Sequence, residues 1–314
     1  MKRIGNLYDK ICSLDNLILA EKKARKGKSK QSDVILFDKN KENNLLELHQ
    51  ILLNKQFKNS KYHVFTIYEK KERVIHKLPY YPDRIVHHAV MNILESTLVN
   101  CFTTDTYSCI KKRGIHLCLK KLTKSLKNTD TNYCLKLDIK KFYPSVNHDI
   151  LKQLLKKKFK DKNLLNLLNE IIDSASGLPI GNYLSQYLAN FYLTYFDHYL
   201  KEILKVKYYF RYCDDLVILG SNKQYLHNLR KEIQNYLLIN LKLELSNYQV
   251  FPIKSRGIDF LGYVSYHTYI KLRKSIKKNW INMLNKYPNK KSIASYNGWL
   301  SHCNSINLQR KYLK

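Results

Sequence analysis

The chain has 314 residues, enough to bury a sizeable core and to hold two or three subdomains. Its 56 Lys and Arg against 25 Asp and Glu give a formal net charge of +31, which indicates a polyanionic partner, either a nucleic acid or an anionic membrane surface. No apolar run approaches the roughly 20 residues that span a bilayer, and residues 1–10 lack the apolar core of a signal peptide. We therefore expect a soluble, cytoplasmic protein.

The first 80 residues are predicted to be helical and basic, followed by a strand pair. Apolar spacing favours a short helix over residues 7–20 and an amphipathic helix over 45–53. The basic run between them, residues 22–30, is either a solvated loop or, at this net charge, a segment that follows a phosphate backbone. Residues 62–67 and 73–78 then predict two strands around a charged turn.

The middle of the chain combines amphipathic helices with one short strand. Apolar spacing predicts helices over residues 82–99, 115–126 and 147–159. Residues 133–139 are apolar and alternating, so they predict a strand that carries Asp138 at its tip. The most periodic segment, residues 182–204, predicts one long helix whose aromatic and leucine rows pack under a sheet.

An acidic break divides the aromatic and β-branched run of residues 208–219. This pattern predicts two short strands joined by a tight turn, with Asp214 and Asp215 at its tip. Adjacent carboxylates repel each other, and a divalent cation such as Mg²⁺ would offset that repulsion. An isolated Asp-Asp pair is more simply a solvated turn, but Asp138 offers a third carboxylate in a matching setting. Two Mg²⁺ ions between Asp138 and Asp214 would clamp an in-line phosphoryl transfer.

The C-terminal part predicts a helix over residues 226–241, strands over 248–251 and 260–266, and mostly basic helices over 273–314. The seven cysteines form no Cys-x-x-Cys pair, and their odd number does not suggest a disulfide framework. We interpret Cys213 as a small residue that fits the acidic turn and not as a nucleophile.

Four motifs, in order along the chain, resemble those of reverse transcriptases. Residues 212–215, Tyr-Cys-Asp-Asp, resemble the Tyr-x-Asp-Asp box, and Asp138 followed by Tyr143 resembles the first palm motif. Residues 177–186 resemble the motif that contacts template and nucleotide, and residues 257–263 resemble the primer grip. The resemblance covers roughly residues 65–310, and four ordered motifs are far more specific than one tetrapeptide.

The resemblance implies an α+β right-hand polymerase that acts as an RNA-directed DNA polymerase. It implies an N-terminal extension over residues 1–60, fingers over 61–130, a palm with an antiparallel sheet over 131–265 and a short helical thumb over 266–314. A finger-type helical insertion, residues 147–175, would lie within the palm segment. No RNase H, endonuclease or maturase extension fits in what remains of the sequence. The implied cofactors are two Mg²⁺ ions, with Mn²⁺ as a substitute, and the implied substrates are dNTPs.

The resemblance also assigns roles to individual residues. The catalytic residues would be Asp138, Asp214 and Asp215, and the same three with Ile139 would be the metal ligands. The residues implied to bind the nucleotide are Lys71, Arg73, Tyr143, Gly181 and Gln186. Those implied to contact the template and set fidelity are Ile180, Gly181 and Ser185, and the primer grip would be Phe260, Leu261 and Gly262. Arg suits phosphate binding because its guanidinium donates at two points, although Lys71 and Arg73 also fit an ordinary charged hairpin.

Within this family, the chain is most like the reverse transcriptases of diversity-generating retroelements. Most of the family carries Gln-Gly-x-x-x-Ser-Pro, whereas this chain has Ile180 in place of Gln and Gln186 in place of Pro. That branch copies a template RNA into cDNA with errors opposite adenine, and it works with a small, basic accessory variability protein that can be oligomeric. One feature departs from the family: residues 247–249 are Asn-Tyr-Gln where a Lys often donates a proton to pyrophosphate, so that role stays unassigned.

Two alternatives remain open at this point. One is another small bacterial reverse transcriptase, of the retron, group II intron-like or phage-defence type. The other is a catalytically idle RNA-binding scaffold, although the presence of all three acids argues against it.

Overall fold

The computed structural model describes residues 3–68, 72–286 and 288–312. The chain divides into two compact units, each assembled from three stretches of sequence. Unit 1 comprises Met1–Thr103, Lys140–Tyr199 and Tyr236–Glu244, and unit 2 comprises Thr104–Ile139, Leu200–Asn235 and Leu245–Lys314.

Helices account for much of both units. In chain order they are α1 (Tyr8–Cys12), α2 (Leu14–Ala24), α3 (Ser32–Asp38), α4 (Lys41–Leu53), α5 (Ile85–Val99), α6 (Ile115–Ser125), α7 (Phe142–Ser145), α8 (His148–Lys158), α9 (Lys162–Asp173), α10 (Tyr183–Tyr192), α11 (Thr194–His198), α12 (Lys223–Leu241), α13 (Ile253–Arg256), α14 (Lys274–Lys286), α15 (Lys290–Leu300) and α16 (Ile306–Tyr312). Two π-helical turns, Tyr80–Arg84 and Tyr199–Ile203, precede α5 and follow α11.

The strands of the described residues form three antiparallel sheets. They are β1 (His63–Tyr68), β2 (Glu72–Lys77), β3 (Tyr133–Ile139), β4 (Tyr208–Tyr212), β5 (Asp215–Gly220), β6 (Leu245–Pro252), β7 (Ile258–Phe260), β8 (Tyr263–Ser265) and β9 (Ile270–Leu272). In unit 1, β1 pairs with β2; in unit 2 the strand orders are β4-β5-β3-β6 and β7-β8-β9.

Unit 1 is organised around α5. This helix is apolar on most sides, and Val86, Ala89, Val90 and Leu98 are fully buried where it packs against α2 and α10. A helix that is apolar around most of its circumference must be enclosed by other elements. The core of unit 1 is therefore helical, with the β1–β2 hairpin outside it.

Unit 2 is organised around its four-stranded sheet. The central strands β3 and β5 carry the apolar, alternating residues that the sequence analysis identified, and one face of the sheet packs on α6. Val217 and Leu219 of β5, Phe210 of β4 and Leu122 of α6 share this core. Burial of these side chains fixes the position of the central strands. The positions of the residues at the strand ends are fixed as a consequence.

Three predicted elements differ from the structure. The single helix predicted over residues 7–20 is two helices, α1 and α2, which are separated at Ser13. The helix predicted over residues 182–204 is interrupted at Leu193, where α10 ends and α11 begins. The Thr194 hydroxyl donates to the carbonyl of Asn190 at 3.1 Å, a back-bond of the kind that bends helices. The single strand predicted over 260–266 is two strands, because Leu261 and Gly262 form the turn between β7 and β8.

None of the helices in residues 3–68, 72–286 and 288–312 combines the length and the apolar character that a bilayer crossing requires.

Candidate active site

The three predicted catalytic acids lie at one end of the central sheet of unit 2. The antiparallel register of β3 and β5 places Asp138 directly opposite Asp215. Asp214 precedes Asp215 in the turn between β4 and β5, and its carbonyl accepts a hydrogen bond from the amide of Ile139 at 3.4 Å. Strand pairing therefore brings together residues that are about 75 positions apart in the sequence.

A buried arginine holds the acidic turn. Arg211 on β4 is fully buried, and its guanidinium donates to the carbonyl of Cys213 at 3.1 Å and to the hydroxyl of Thr106 at 3.3 Å. Cys213 adopts a left-handed backbone conformation, with φ of 53°. Because non-glycine residues adopt this conformation at some cost, the surrounding hydrogen bonds must maintain it. Sequence reasoning did not identify Arg211 as a functional residue.

The loop before α6 supports the same turn from the side. Thr106 pairs with Arg211 in a parallel bridge, and the amide of Tyr107 donates to the carbonyl of Arg211 at 3.0 Å. The amide of Cys213 donates to the hydroxyl of Ser108 at 2.9 Å. The outer edge of β4 is thus covered, and the backbone before Asp214 is bound on both sides.

Asp138 is oriented by a serine that the sequence analysis did not single out. The Ser246 hydroxyl donates to the Asp138 carboxylate at 2.6 Å and also contacts the Asp138 carbonyl at 3.1 Å. The register of β3 with β6 shifts between Asp138, opposite Asn247, and Ile139, opposite Leu245. This bulge leaves Ser246 as the extra residue, and bulges re-aim side chains in this way.

The donors at this sheet end fit a hard divalent cation in their chemistry. Asp138, Asp214 and Asp215 offer carboxylate oxygens and Ile139 offers a backbone carbonyl at this end of the sheet, and Mg²⁺ prefers oxygen ligands. Within the described part of the chain, no three His, Cys, Asp or Glu side chains are grouped so that they could hold a metal ion. Asp214 lies in the turn, whereas Asp215 is the first residue of β5.

Two thiols lie beside these acids. Cys109, in the loop before α6, hydrogen-bonds to Cys213 through its side chain. That hydrogen bond lowers the pKa of Cys213 and, together with burial, raises the pKa of Cys109. Both thiols are free and partly exposed.

In unit 1, the predicted template-contact segment is attached to the β1–β2 hairpin. The amide of His76 donates to the carbonyl of Ile180 at 2.9 Å, and Asn182 donates to the hydroxyl of Tyr62 at 2.8 Å. Gly181 has φ of 123°, and a Cβ there would lie 2.6 Å from the carbonyl oxygen of His76. Glycine is therefore required at this position both by conformation and by space.

A basic cavity of about 390 Å³ opens beside this segment, and Gly181 and Gln186 both line it. Its cationic lining comes from the N-terminal region, from β2 and from the π-helical turn before α5, namely Lys23, Lys26, Lys28, Lys77 and Arg84. Burial alone lowers the pKa of Arg84, and no acidic residue lies three or four positions from it in the sequence. The absence of an acidic residue at these positions is the sequence signal that could have identified Arg84 as an anion-binding residue.

Two of the three histidines that line the cavity add no charge at neutral pH. Burial lowers the pKa of His87 to about 3 and that of His88 to about 4. His88 stacks on Tyr183, with ring centroids 4.6 Å apart. The positive potential of the cavity therefore comes from the lysines and from Arg84.

The remaining predicted nucleotide and template residues of unit 1 are more scattered. Tyr143 is partly exposed on α7, and its carbonyl accepts from the amide of Leu178 at 2.8 Å. Arg73 is exposed on β2 opposite Ile67, and Ser185 is buried in α10. Lys71 lies outside the described residues.

The predicted primer-grip residues of unit 2 form the tip of a hairpin. Phe260 is buried, and Leu261 and Gly262 have φ values of 55° and 86°, as a two-residue hairpin turn requires. A Cβ on Gly262 would lie 2.5 Å from the ring of Trp299 in α15. The hairpin tip therefore packs on a tryptophan that sequence reasoning assigned only to the C-terminal helical region.

The fold and the sequence both have known relatives. Telomerase from Candida albicans, solved in complex with a fragment of telomeric RNA, aligns over 74% of this chain and 51% of its own, with a TM-score of 0.53 and 12% identity. A truncated telomerase from Candida tropicalis aligns over 69% and 55%, with a TM-score of 0.54 and 15% identity. These similarities confirm the right-hand polymerase fold of α+β type.

The profile of the family described as reverse transcriptase (RNA-dependent DNA polymerase) matches residues 58–265. The chain belongs to the reverse transcriptase family, whose members use divalent metal ions and dNTPs. Protein YkfC of Escherichia coli K12 is 24% identical over 59% of this chain and 61% of its own. The group II intron-encoded protein LtrA of Lactococcus lactis subsp. cremoris is 27% identical over 42% and 23%. The chain thus spans less than two thirds of the length of each of these relatives.

Proposed function

We propose that the protein is an RNA-directed DNA polymerase that extends a primer on an RNA template. The observation that carries this proposal is the register of β3 and β5, which sets Asp138 opposite Asp215 and beside Asp214. Extension of a DNA primer on an RNA template, with dNTPs and Mg²⁺ or Mn²⁺, tests it. The division into N-terminal extension, fingers, palm and thumb belongs to the same proposal.

Each group at the proposed site has a physical task. Asp138, Asp214 and Asp215, with Ile139, would hold two Mg²⁺ ions, which when bound polarise phosphate oxygens and the attacking hydroxyl. Arg211 and Ser108 hold the turn, and Ser246 orients the Asp138 carboxylate. Arg73, Lys71, Gly181 and Gln186 would bind the nucleotide, and the cationic cavity beside Gly181 supports anion binding in unit 1. Preorganised donors and charges of this kind provide most of the catalysis in phosphoryl transfer.

Tyr143 is proposed to select the sugar of the incoming nucleotide. Its ring is partly exposed, and the bond from Leu178 to its carbonyl fixes its backbone. Because a bulky ring crowds a ribose 2′-hydroxyl, we expect Tyr143→Ala to incorporate NTPs much more readily than the wild type. Single-nucleotide extension with matched dNTP and NTP series measures this ratio, and Phe142→Leu, a change at the buried neighbour, serves as the matched control. An unchanged ratio in Tyr143→Ala would assign the selection to another residue.

We further propose that the protein acts in a diversity-generating retroelement, copying a template RNA into error-prone cDNA together with a small, basic accessory protein. Ile180 and Gln186 support this proposal, since they replace the Gln and Pro of the wider family. A group II intron-like enzyme is the second candidate, and the similarity to LtrA favours it. Sequencing the RNA that co-purifies with the protein would distinguish an adenine-rich variable template from an intron.

The identity of residue 180 is expected to affect fidelity. Ile180 is partly exposed beside Gly181, and its side chain offers apolar contact only, whereas a Gln can hydrogen-bond to a templating nucleotide. One hydrogen bond contributes about 1 kcal/mol of free energy, which changes the selectivity between right and wrong nucleotides several-fold. We expect Ile180→Gln to lower misincorporation several-fold, chiefly opposite adenine, with synthesis retained; the restriction to adenine follows from the resemblance alone. Ile180→Leu is the control, and cDNA from one RNA template is sequenced for all three proteins. Equal error spectra would show that Ile180 marks a lineage without causing errors.

A further inference from the structure

We propose that Cys109 and Cys213 form a modification site at which a peroxide oxidises two neighbouring thiols to a reversible disulfide. The site lies in unit 2, directly before the acidic turn, because Cys213 precedes Asp214 in the chain. The disulfide itself requires no polymerase activity, whereas its expected effect on primer extension rests on the proposed function.

The backbone around the two thiols brings the segments that carry them side by side. Thr106 pairs with Arg211 in a parallel bridge, and two residues further along both segments Ser108 accepts from the amide of Cys213 at 2.9 Å. Cys109 follows in the same loop, and its side chain hydrogen-bonds to that of Cys213. Neighbouring strands lie about 4.8 Å apart, and disulfides join residues whose Cα atoms are roughly 4.4–6.8 Å apart.

The backbone of both cysteines also departs from regular strand geometry. Cys109 has φ of 57° and Cys213 has φ of 53°. Both residues therefore lie in turns, Cys109 in the loop before α6 and Cys213 between β4 and β5.

The other cysteines are placed differently. Cys12, Cys101, Cys118 and Cys134 are buried. Cys303 is partly exposed, but its thiol donates to backbone carbonyls of Trp299 and Leu300 at 3.9 Å and 3.7 Å. Cys303 is therefore a suitable control, because it combines exposure with a location in the C-terminal helices.

The chemistry balances with hydrogen peroxide as the oxidant. The sulfur of one thiol attacks a peroxide oxygen, the O–O bond breaks, and a sulfenic acid and one water form. The second sulfur then attacks the sulfenic sulfur, the S–O bond breaks, and a disulfide and a second water form. Two thiols are oxidised and one peroxide is reduced to two waters, and dithiothreitol reverses the modification by thiol–disulfide exchange.

The modification is expected to displace the acidic turn. An S–S bond is about 2.05 Å long, shorter than any thiol–thiol hydrogen bond, so its formation draws Cys213 toward Cys109. The carbonyl of Cys213 is also the acceptor of the Arg211 hydrogen bond, and Asp214 is the next residue. A shift of about 1 Å at a reacting group can cost about 10²-fold in rate.

The test compares the full-length wild type with Cys109→Ser and Cys303→Ser after treatment with stoichiometric hydrogen peroxide. Peptide mass spectrometry without reduction is expected to find a cross-linked pair containing Cys109 and Cys213 in the wild type and in Cys303→Ser. Cys109→Ser is expected to give no such pair. Dithiothreitol is expected to remove the cross-link.

Primer extension provides the second measurement. Peroxide is expected to lower extension by the wild type and by Cys303→Ser about 10²-fold, recoverable with dithiothreitol, and to spare Cys109→Ser. Absence of the cross-linked peptide in the wild type would overturn the site. Formation of the cross-link with undiminished extension, or equal inactivation of Cys109→Ser, would overturn the effect on the turn. If the protein extended no primer before oxidation, that result would contradict the proposed function. The peptide measurement alone would then decide whether Cys109 and Cys213 form the proposed site.

Discussion

Asp214→Asn is expected to abolish primer extension, with a loss of at least about 10³-fold, while the protein remains folded. The change replaces a carboxylate by a neutral amide of the same shape, and an amide is a much poorer ligand for a divalent cation. A metal ion contributes several kcal/mol of charge stabilisation to the transition state, and each 1.36 kcal/mol is a factor of ten in rate. Asp138→Asn is expected to have the same effect, because the two residues lie at the same sheet end.

Primer extension with Mg²⁺, alongside thermal unfolding followed by circular dichroism, measures both parts of this prediction. Asp130→Asn is the matched control: Asp130 lies in the same unit and bonds to Lys207 and Tyr208 at 2.9 Å and 2.8 Å. We expect the control to extend primers at close to the wild-type rate. Near-normal extension by Asp138→Asn or Asp214→Asn would refute the assignment of the site.

Arg211→Met is expected to destabilise the protein by about 3 kcal/mol and to reduce extension strongly. Methionine retains the apolar, unbranched stem of the side chain, but it leaves the carbonyl of Cys213 and the hydroxyl of Thr106 without this donor. An unsatisfied buried polar group costs about 1–3 kcal/mol, and Arg211 is fully buried. The turn before Asp214 would also lose one of the contacts that hold it.

Urea unfolding and primer extension of the same samples separate the two effects. Arg256→Met is the control, because Arg256 is exposed, bonds to Gln249 at 2.8 Å and lies over the ring of Phe251. Such a surface change is expected to alter the free energy of unfolding by about 0.5 kcal/mol or less. An unfolding midpoint for Arg211→Met equal to that of the wild type would show that the guanidinium does not stabilise the turn.

The sequence was most informative where local pattern and fold agree. Strand β3 was predicted within its observed bounds, because its residues alternate and because it is a central, largely buried strand of the sheet. The acidic turn was also predicted, although only Cys213 and Asp214 form it and Asp215 begins β5. The α+β right-hand fold and the family, which the motifs implied, are confirmed by the comparisons.

Contacts between distant residues were beyond sequence reasoning. Ser246 acquires its contact with Asp138 through a register shift in β6, and no local pattern marks a bulge. Trp299 meets Gly262 only because α15 packs on the hairpin tip. Arg84 and the N-terminal lysines share one cavity although about 60 residues separate them. Burial and charge at such positions depend on tertiary packing, which cannot be inferred from the local sequence.

Each unit is assembled from three separate stretches of sequence, and this affects when unit 2 can fold during translation. Strand β3 lies between β5 and β6, and its partner β6 begins more than 100 residues later in the chain. A ribosome adds about 5–20 residues per second, so β3 emerges many seconds before either neighbour exists. During that interval its apolar residues must be shielded by something other than their final partners. Synthesis through residue 252 is therefore the event that completes β6 and the four-stranded sheet, and unit 2 can only mature late in translation.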